Sequence, residues 1–327
     1  MTNRLWYTQA VVLSPLLMTC GCGGSNSGVA STPAPPVAAT PSYDSFVGLN
    51  KNVTVQTTST AIKYQLDTHN GVLTSSISRD AKGGFGEGGI SISYDAASKN
   101  YTVGDGTSGS SYAPADKITP ALSASATPFD TFSKFTSTGA QDGIRNTLML
   151  YRAGAANTQF PQLSYATFAI VTTDNQHVTS GISQATIDTR VVYAIGGFET
   201  VRSDLPKTGT ASYTSYVTGT SVGGTAGQAF GRDTPVSGTA KITADFGNGS
   251  LSTALSLTAN AQSIGDFSGT APIESATSHF KGDLTANGAT QGTFSGSFFG
   301  PQAAEVGYTF RVQSSIGTVD GGAVGAK

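Results

Sequence analysis

The segment GTFSGSFFGPQAAEVGYTFRV, residues 292–312, alternates aromatic with small residues on both sides of a Gly-Pro break. Successive side chains of a strand point to opposite faces. Phe294, Gly296 and Phe298 therefore share one face, with Thr293, Ser295 and Ser297 on the other. Gly300-Pro301 punctuates rather than continues a strand. Beyond it Val306, Tyr308, Phe310 and Val312 again line one face, against Glu305, Gly307, Thr309 and Arg311. The reading is a hairpin with one apolar face. Bulky and small residues taking turns on that face suit a tightly curved sheet, in which a ring lies over a neighbouring glycine.

The same alternation starts at Gly209. Ala211, Tyr213 and Val217 share a face, as do Gly238, Ala240, Ile242, Ala244 and Phe246. Leu251, Leu255 and Leu257 follow, then Phe267, Gly269, Ala271 and Ile273, then Phe280, Gly282 and Leu284, with Gly, Asn or Asp turns such as GNG and NG between them. With the closing hairpin these make seven strands, and the Gly-rich stretch 221–232 supplies an eighth. Eight short alternating strands fit a small closed antiparallel barrel filled by its own side chains.

Upstream, from Ser45 to Thr200, strands are recognisable but less regular. Ile62, Tyr64 and Leu66 alternate, GISISYDAASKNYTV reads as two strands around a polar turn, and NTLMLYR, LSYATFAIV and RVVYAIGGF are further strands. Residues 105–128 are a weakly patterned Gly/Ser/Ala/Pro stretch, either a functional loop carried on the scaffold or a mobile one. Leu205-Pro206-Lys207 marks the boundary. The chain is thus all-β, an irregular β-rich domain over residues 46–205 followed by the eight-stranded barrel over 206–318, with 319–327 as a tail.

Charged residues make up only 12% of the 327, and the formal net charge is -2. No Lys/Arg block is present, so the electrostatic footprint of a nucleic-acid binder is missing. Both cysteines lie at the N-terminus. Arg4 precedes an apolar stretch from Ala10 to Met18, too short for a stable membrane span and laid out like a secretory signal. TCGCGGSNSG follows at once and resembles the end of a bacterial lipoprotein signal. Cys22, after the small Gly21, is the expected lipid-bearing residue, with Cys20 as the alternative. Residues 1–21 are then the signal peptide and 22–45 a Gly/Ser/Pro-rich tether. Neither cysteine is followed by Asp, so sorting to the outer membrane is expected, with display at the cell surface or on the periplasmic side.

No catalytic residues, metal ligands or cofactor are expected. GTSVG, residues 219–223, matches the G-x-S-x-G elbow, but GGTAGQAFG cannot form the helix that the elbow requires. His69, His177 and His279 lie far apart, without ligand-spaced companions. Glu305, at a strand start after a turn, is expected to accept hydrogen bonds from loop amides. FDTFSKF places Phe129, Phe132 and Phe135 three apart. These rings either form an exposed patch that binds a ligand or pack on the core of their domain.

The run GSFFGPQAAEVGYTF is similar to the closing hairpin of the barrel domains in the transferrin-binding protein B family of surface lipoproteins, with Gly300, Pro301, Glu305, Gly307 and Phe310 on the motif. PKTGTASY and GTAKITADFGNG resemble the opening strands of the same barrel, and LSYATF a strand of the handle-like domain that precedes it. Tyr308 stands where a second glycine is common, and the chain has one handle-barrel unit where the large transferrin binders have two lobes. The resemblance implies a non-enzymatic accessory protein that captures a ligand, such as an iron carrier, for a TonB-dependent outer-membrane receptor in iron or nutrient uptake. The rival reading is a structural or adhesive surface lipoprotein without a transported ligand.

Overall fold

The structure is a computed structural model and describes residues 40–69, 72–78, 89–104, 109–118, 127–139, 142–154, 160–179, 184–223, 234–314 and 317–327. Both candidate lipidation sites, Cys20 and Cys22, lie outside these residues.

The handle is a single antiparallel sheet. Its strands are β1 (Val53–His69), β2 (Val72–Ser78), β3 (Ser91–Asp95), β4 (Asn100–Gly104), β5 (Gly109–Tyr112), β6 (Lys117–Ile118), β7 (Phe129–Ser137), β8 (Gly143–Tyr151), β9 (Ala166–Thr179) and β10 (Gln184–Gly197). Their order is β5-β4-β3-β1-β10-β9-β8-β7-β6, with β2 also on β1. The sheet curls until its two ends meet, where Lys134 Nζ of β7 donates to the Ser111 carbonyl of β5 at 3.0 Å. Both faces are apolar. Val55, Ile92, Val103, Leu148 and Val192 fill the concave side, whereas Ile62, Tyr64, Phe168, Tyr193 and Ile195 point outward. The stretch expected as one long loop over 105–128 thus contains β5, a 3-10 turn at Pro114–Asp116 and β6.

The second sheet is a closed barrel of β11 (Thr210–Val222), β12 (Thr234–Asp245), β13 (Ser250–Ala259), β14 (Gln262–Pro272), β15 (His279–Ala286), β16 (Ala289–Phe299), β17 (Glu305–Ser314) and β18 (Gly317–Ala326). Seven of these are the strands read from the alternation. The eighth is not the 221–232 stretch, most of which lies outside the described residues. It is β18, formed by residues assigned to the tail. This strand pairs with β17 on one side and β11 on the other and so closes the ring. Its sequence, GTVDGGAVGA, carries too few bulky residues to announce a strand. The glycines are there for space: a Cβ at Gly321 would come within 2.6 Å of Phe310 Cζ, and one at Gly282 within 2.9 Å of Phe294 Cε1. Rings therefore lie over glycines, as the pattern predicts for a tight barrel. Tyr308 fills the interior and its hydroxyl meets Thr253 Oγ1 at 2.8 Å.

The hairpin has a second buried face. Phe299 and Val324 leave the barrel wall and join the outward core of the handle, and a Cβ at Gly307 would meet Ile195 Cγ2 at 2.6 Å. Below them Arg311 Nε donates to Asp320 at 2.9 and 3.2 Å, Arg311 Nη2 donates to the Ala61 carbonyl at 2.6 Å, and Thr60 donates to Asp320. Burial raises the Asp320 carboxyl, opposed by the guanidinium and the Thr60 hydroxyl. A fully buried carboxylate needs such a partner.

Candidate functional site

The three phenylalanines do not form one patch. They lie along β7, where positions three apart face opposite sides. Phe129 packs into the outward core against Tyr151 and Phe168, Phe132 packs into the concave core, and Phe135 alone is exposed, at 59%.

Phe132 lines a cavity. At one end of the concave face, a cleft of about 210 Å³ is lined by Phe132, Tyr94, Tyr101, Phe46, Asp130 and Arg152 among others. Tyr94 and Tyr101 are cross-strand partners on β3 and β4, with ring centroids 5.0 Å apart, and Tyr101 lies 5.7 Å from Phe132. Asp130 sits at the polar side of the cleft, held by Lys117 Nζ at 2.8 Å and Arg152 Nε at 3.2 Å. Burial, with Tyr94 and Asp130 nearby, raises the Tyr101 phenol. Clustered rings, tilted 43° and 59° to one another, beside a fixed ion pair can hold an apolar group and orient a polar one, which is binding chemistry. The alternation signalled β3 and β4 but not β7. What the sequence did not show was that curling brings β3, β4 and β7 together.

The family-like motif has a different task, at the joint between the sheets. Glu305 accepts the backbone N–H groups of Ser164, Tyr165 and Ala166 at 2.6, 3.0 and 2.7 Å. This is the amide-capping role expected of it. Burial pushes its carboxyl up and the three amides pull it back. Gly300, at φ 72°, takes a conformation that favours glycine, and a Cβ there would strike the Tyr165 ring at 2.3 Å. The connecting segment is stitched in as well: Thr200 N–H donates to the Phe298 carbonyl at 2.9 Å and Thr200 Oγ1 to the Gly300 carbonyl at 2.7 Å. Tyr43, in the stretch read as tether, donates to Asp204 at 3.0 Å, and Asp204 accepts the Gln302 N–H at 3.0 Å. The tether's last residues are therefore fixed to the joint.

His279 lies 2.9 Å from Glu199 of that connecting segment. The hydrogen bond to Glu199 raises its pKa above the ordinary histidine range. The folded state then gains from the imidazolium at acidic pH and loses that gain as pH rises through the elevated value. In an NMR titration His279 is expected to titrate high and Glu199→Gln to bring it down; an unchanged midpoint would mean that the pair is idle in solution. His177 lies 2.9 Å from Asp142. Ser221 of GTSVG is buried within β11, not at a strand-to-helix turn.

Residues 205–327 match the family described as the C-lobe and N-lobe beta barrels of Tf-binding protein B. Among solved structures, the chain is similar to a mutant transferrin binding protein B from Haemophilus parasuis Hp5 (12% identity, 83% of this chain and 76% of that one, TM-score 0.29). It is also similar to one from Actinobacillus pleuropneumoniae H49 (12%, 83% and 100%, 0.35) and to the isotype 1 protein from Neisseria meningitidis (12%, 85% and 77%, 0.30). No curated protein matches the chain. Among the described residues no helix is long and apolar enough to cross a membrane.

Proposed function

Starting from a C-terminal barrel of the transferrin-binding protein B type, we propose that the chain is a surface binding protein. It captures a ligand and presents it to an outer-membrane receptor of the TonB-dependent kind. The observation that carries this reading is the family match of the barrel, whose closing hairpin also clamps the handle through Glu305. The aromatic cleft around Phe132 takes an apolar group of the ligand, which is an iron carrier or another nutrient-bearing ligand. Cys22, or Cys20 in its place, bears the lipid, and residues 22–42 hold the unit off the outer membrane.

Two measurements test this. The Cys22→Ala chain is expected to fractionate as soluble or to remain unprocessed in the inner membrane, whereas continued acylation would move the anchor to Cys20. The intact chain, cross-linked and purified from native outer membranes, is expected to bring a TonB-dependent receptor with it. Deleting its gene should slow growth when iron-loaded transferrin is the sole iron source. If no receptor co-purifies and growth is unaltered, the uptake role is wrong.

A further inference from the structure

The end of the handle's concave face opposite the Phe132 cleft holds a second cavity, of about 280 Å³. Its wall is apolar where Ile90, Val103, Val171 and Val192 meet, and polar where Arg190, Thr173 and Asn146 lie side by side. The polar part is one transverse row of the sheet: Lys63 pairs with Arg190, Arg190 with Thr173, Thr173 with Asn146, and Asn146 with Lys134. Directly paired residues share a face, so three cations point to the same side.

Two of them are unmatched. Lys134 is held by the Ser111 carbonyl and lies 3.9 Å from Asp116. Among the described residues neither Lys63 nor Arg190 has an ion-pair partner. Of the carboxylates on this face, Asp188 is one row away, opposite Gln65; Asp67, two rows away, is bonded to Gln65 and Thr186; Asp130 is paired with Lys117 and Arg152, and Asp142 with His177. Like charges placed directly opposite each other destabilise a sheet, so the Lys63–Arg190 pair costs stability unless an anion lies over it. Thr173 donates to Asn146 Oδ1 at 3.0 Å, which leaves the Asn146 Nδ2 as a donor.

We propose that this cavity binds a small organic anion, a carboxylate on an apolar body, with Arg190 gripping the carboxylate and the valine-isoleucine wall covering the body. Arginine presents a planar fork that matches a carboxylate with two parallel hydrogen bonds. Lys63 adds long-range attraction from the rim, and Thr173 and Asn146 fix the orientation. The site is separate from the Phe132 cleft, so it stands or falls independently of the receptor role.

The test is calorimetric titration of the full chain with octanoate, phenylacetate, octan-1-ol and inorganic phosphate. One of the two carboxylates is expected to bind, and which of them binds identifies the body as aliphatic or aromatic. The alcohol and phosphate should each bind at least about tenfold more weakly, since each lacks one half of the recognition. Arg190→Gln should weaken carboxylate binding about tenfold or more, and Arg190→Lys, which keeps the charge, by less. Raising the salt should weaken it further, because the rim charges are screened. Lys63→Gln, at an exposed position that tolerates change, should cost about two- to threefold. The proposal is overturned if neither carboxylate binds, if octan-1-ol binds as well as octanoate, or if Arg190→Gln leaves affinity unchanged. Should Arg190→Gln fail to fold, unchanged affinity in Lys63→Gln overturns it instead.

Discussion

A chain ending at residue 318 is expected to lose the cooperative unfolding transition of the barrel. β18 is hydrogen-bonded along its length to both β17 and β11, so its removal opens the ring and leaves two unpaired edges where there were none. It also withdraws Val319 and Ala323 from the interior and Val324 from the handle core. Arg311, half-buried beside Asp320, also loses the carboxylate that pairs with it. A small domain has only about 5–15 kcal/mol in total. Circular dichroism melts of chains 22–318 and 22–327 decide the matter. If the shorter chain melts as sharply and as high, residues 319–327 are a tail after all.

Phe298→Ala is expected to cost about 3–5 kcal/mol, the usual loss when a large buried ring leaves a cavity behind. Phe298 is fully buried, with the Phe280, Phe246 and Tyr213 rings 5.4, 5.5 and 6.1 Å from it, centroid to centroid. Phe280 and Tyr213 belong to different strands of the closed barrel and Phe246 to the turn that follows β12, and the closed backbone cannot collapse far into the gap. Urea unfolding monitored by tyrosine fluorescence measures the cost. A near-zero effect would mean that the inward face of β16 has been assigned the wrong way round.

Both results bear on the ligand. Tyr43 and Asp204 tie the start of the described chain to the joint, so the handle cavities keep their place relative to the barrel for as long as the joint holds.

The alternation of side chains determined most of the barrel, because a period of two fixes which residues face inward once a strand has bulky positions to show. Phe294, Phe298, Tyr308 and Phe310 are inside for that reason. Glu305 was legible too, since a lone acid at a strand start after a turn has amides to cap. β18 was not legible: in GTVDGGAVGA the glycines that make room for Phe310 and Phe168 erase the pattern that would mark it as a strand. Phe129, Phe132 and Phe135 gave a spacing of three, which fits a patch only off a strand; β7 sends the first two into different cores. The Phe132 cleft and the Lys63–Arg190 row depend on residues far apart in sequence. Only the curling of the handle sheet and its pairing register bring those residues together, because a local pattern tells which side a residue faces but not which distant strand lies opposite it.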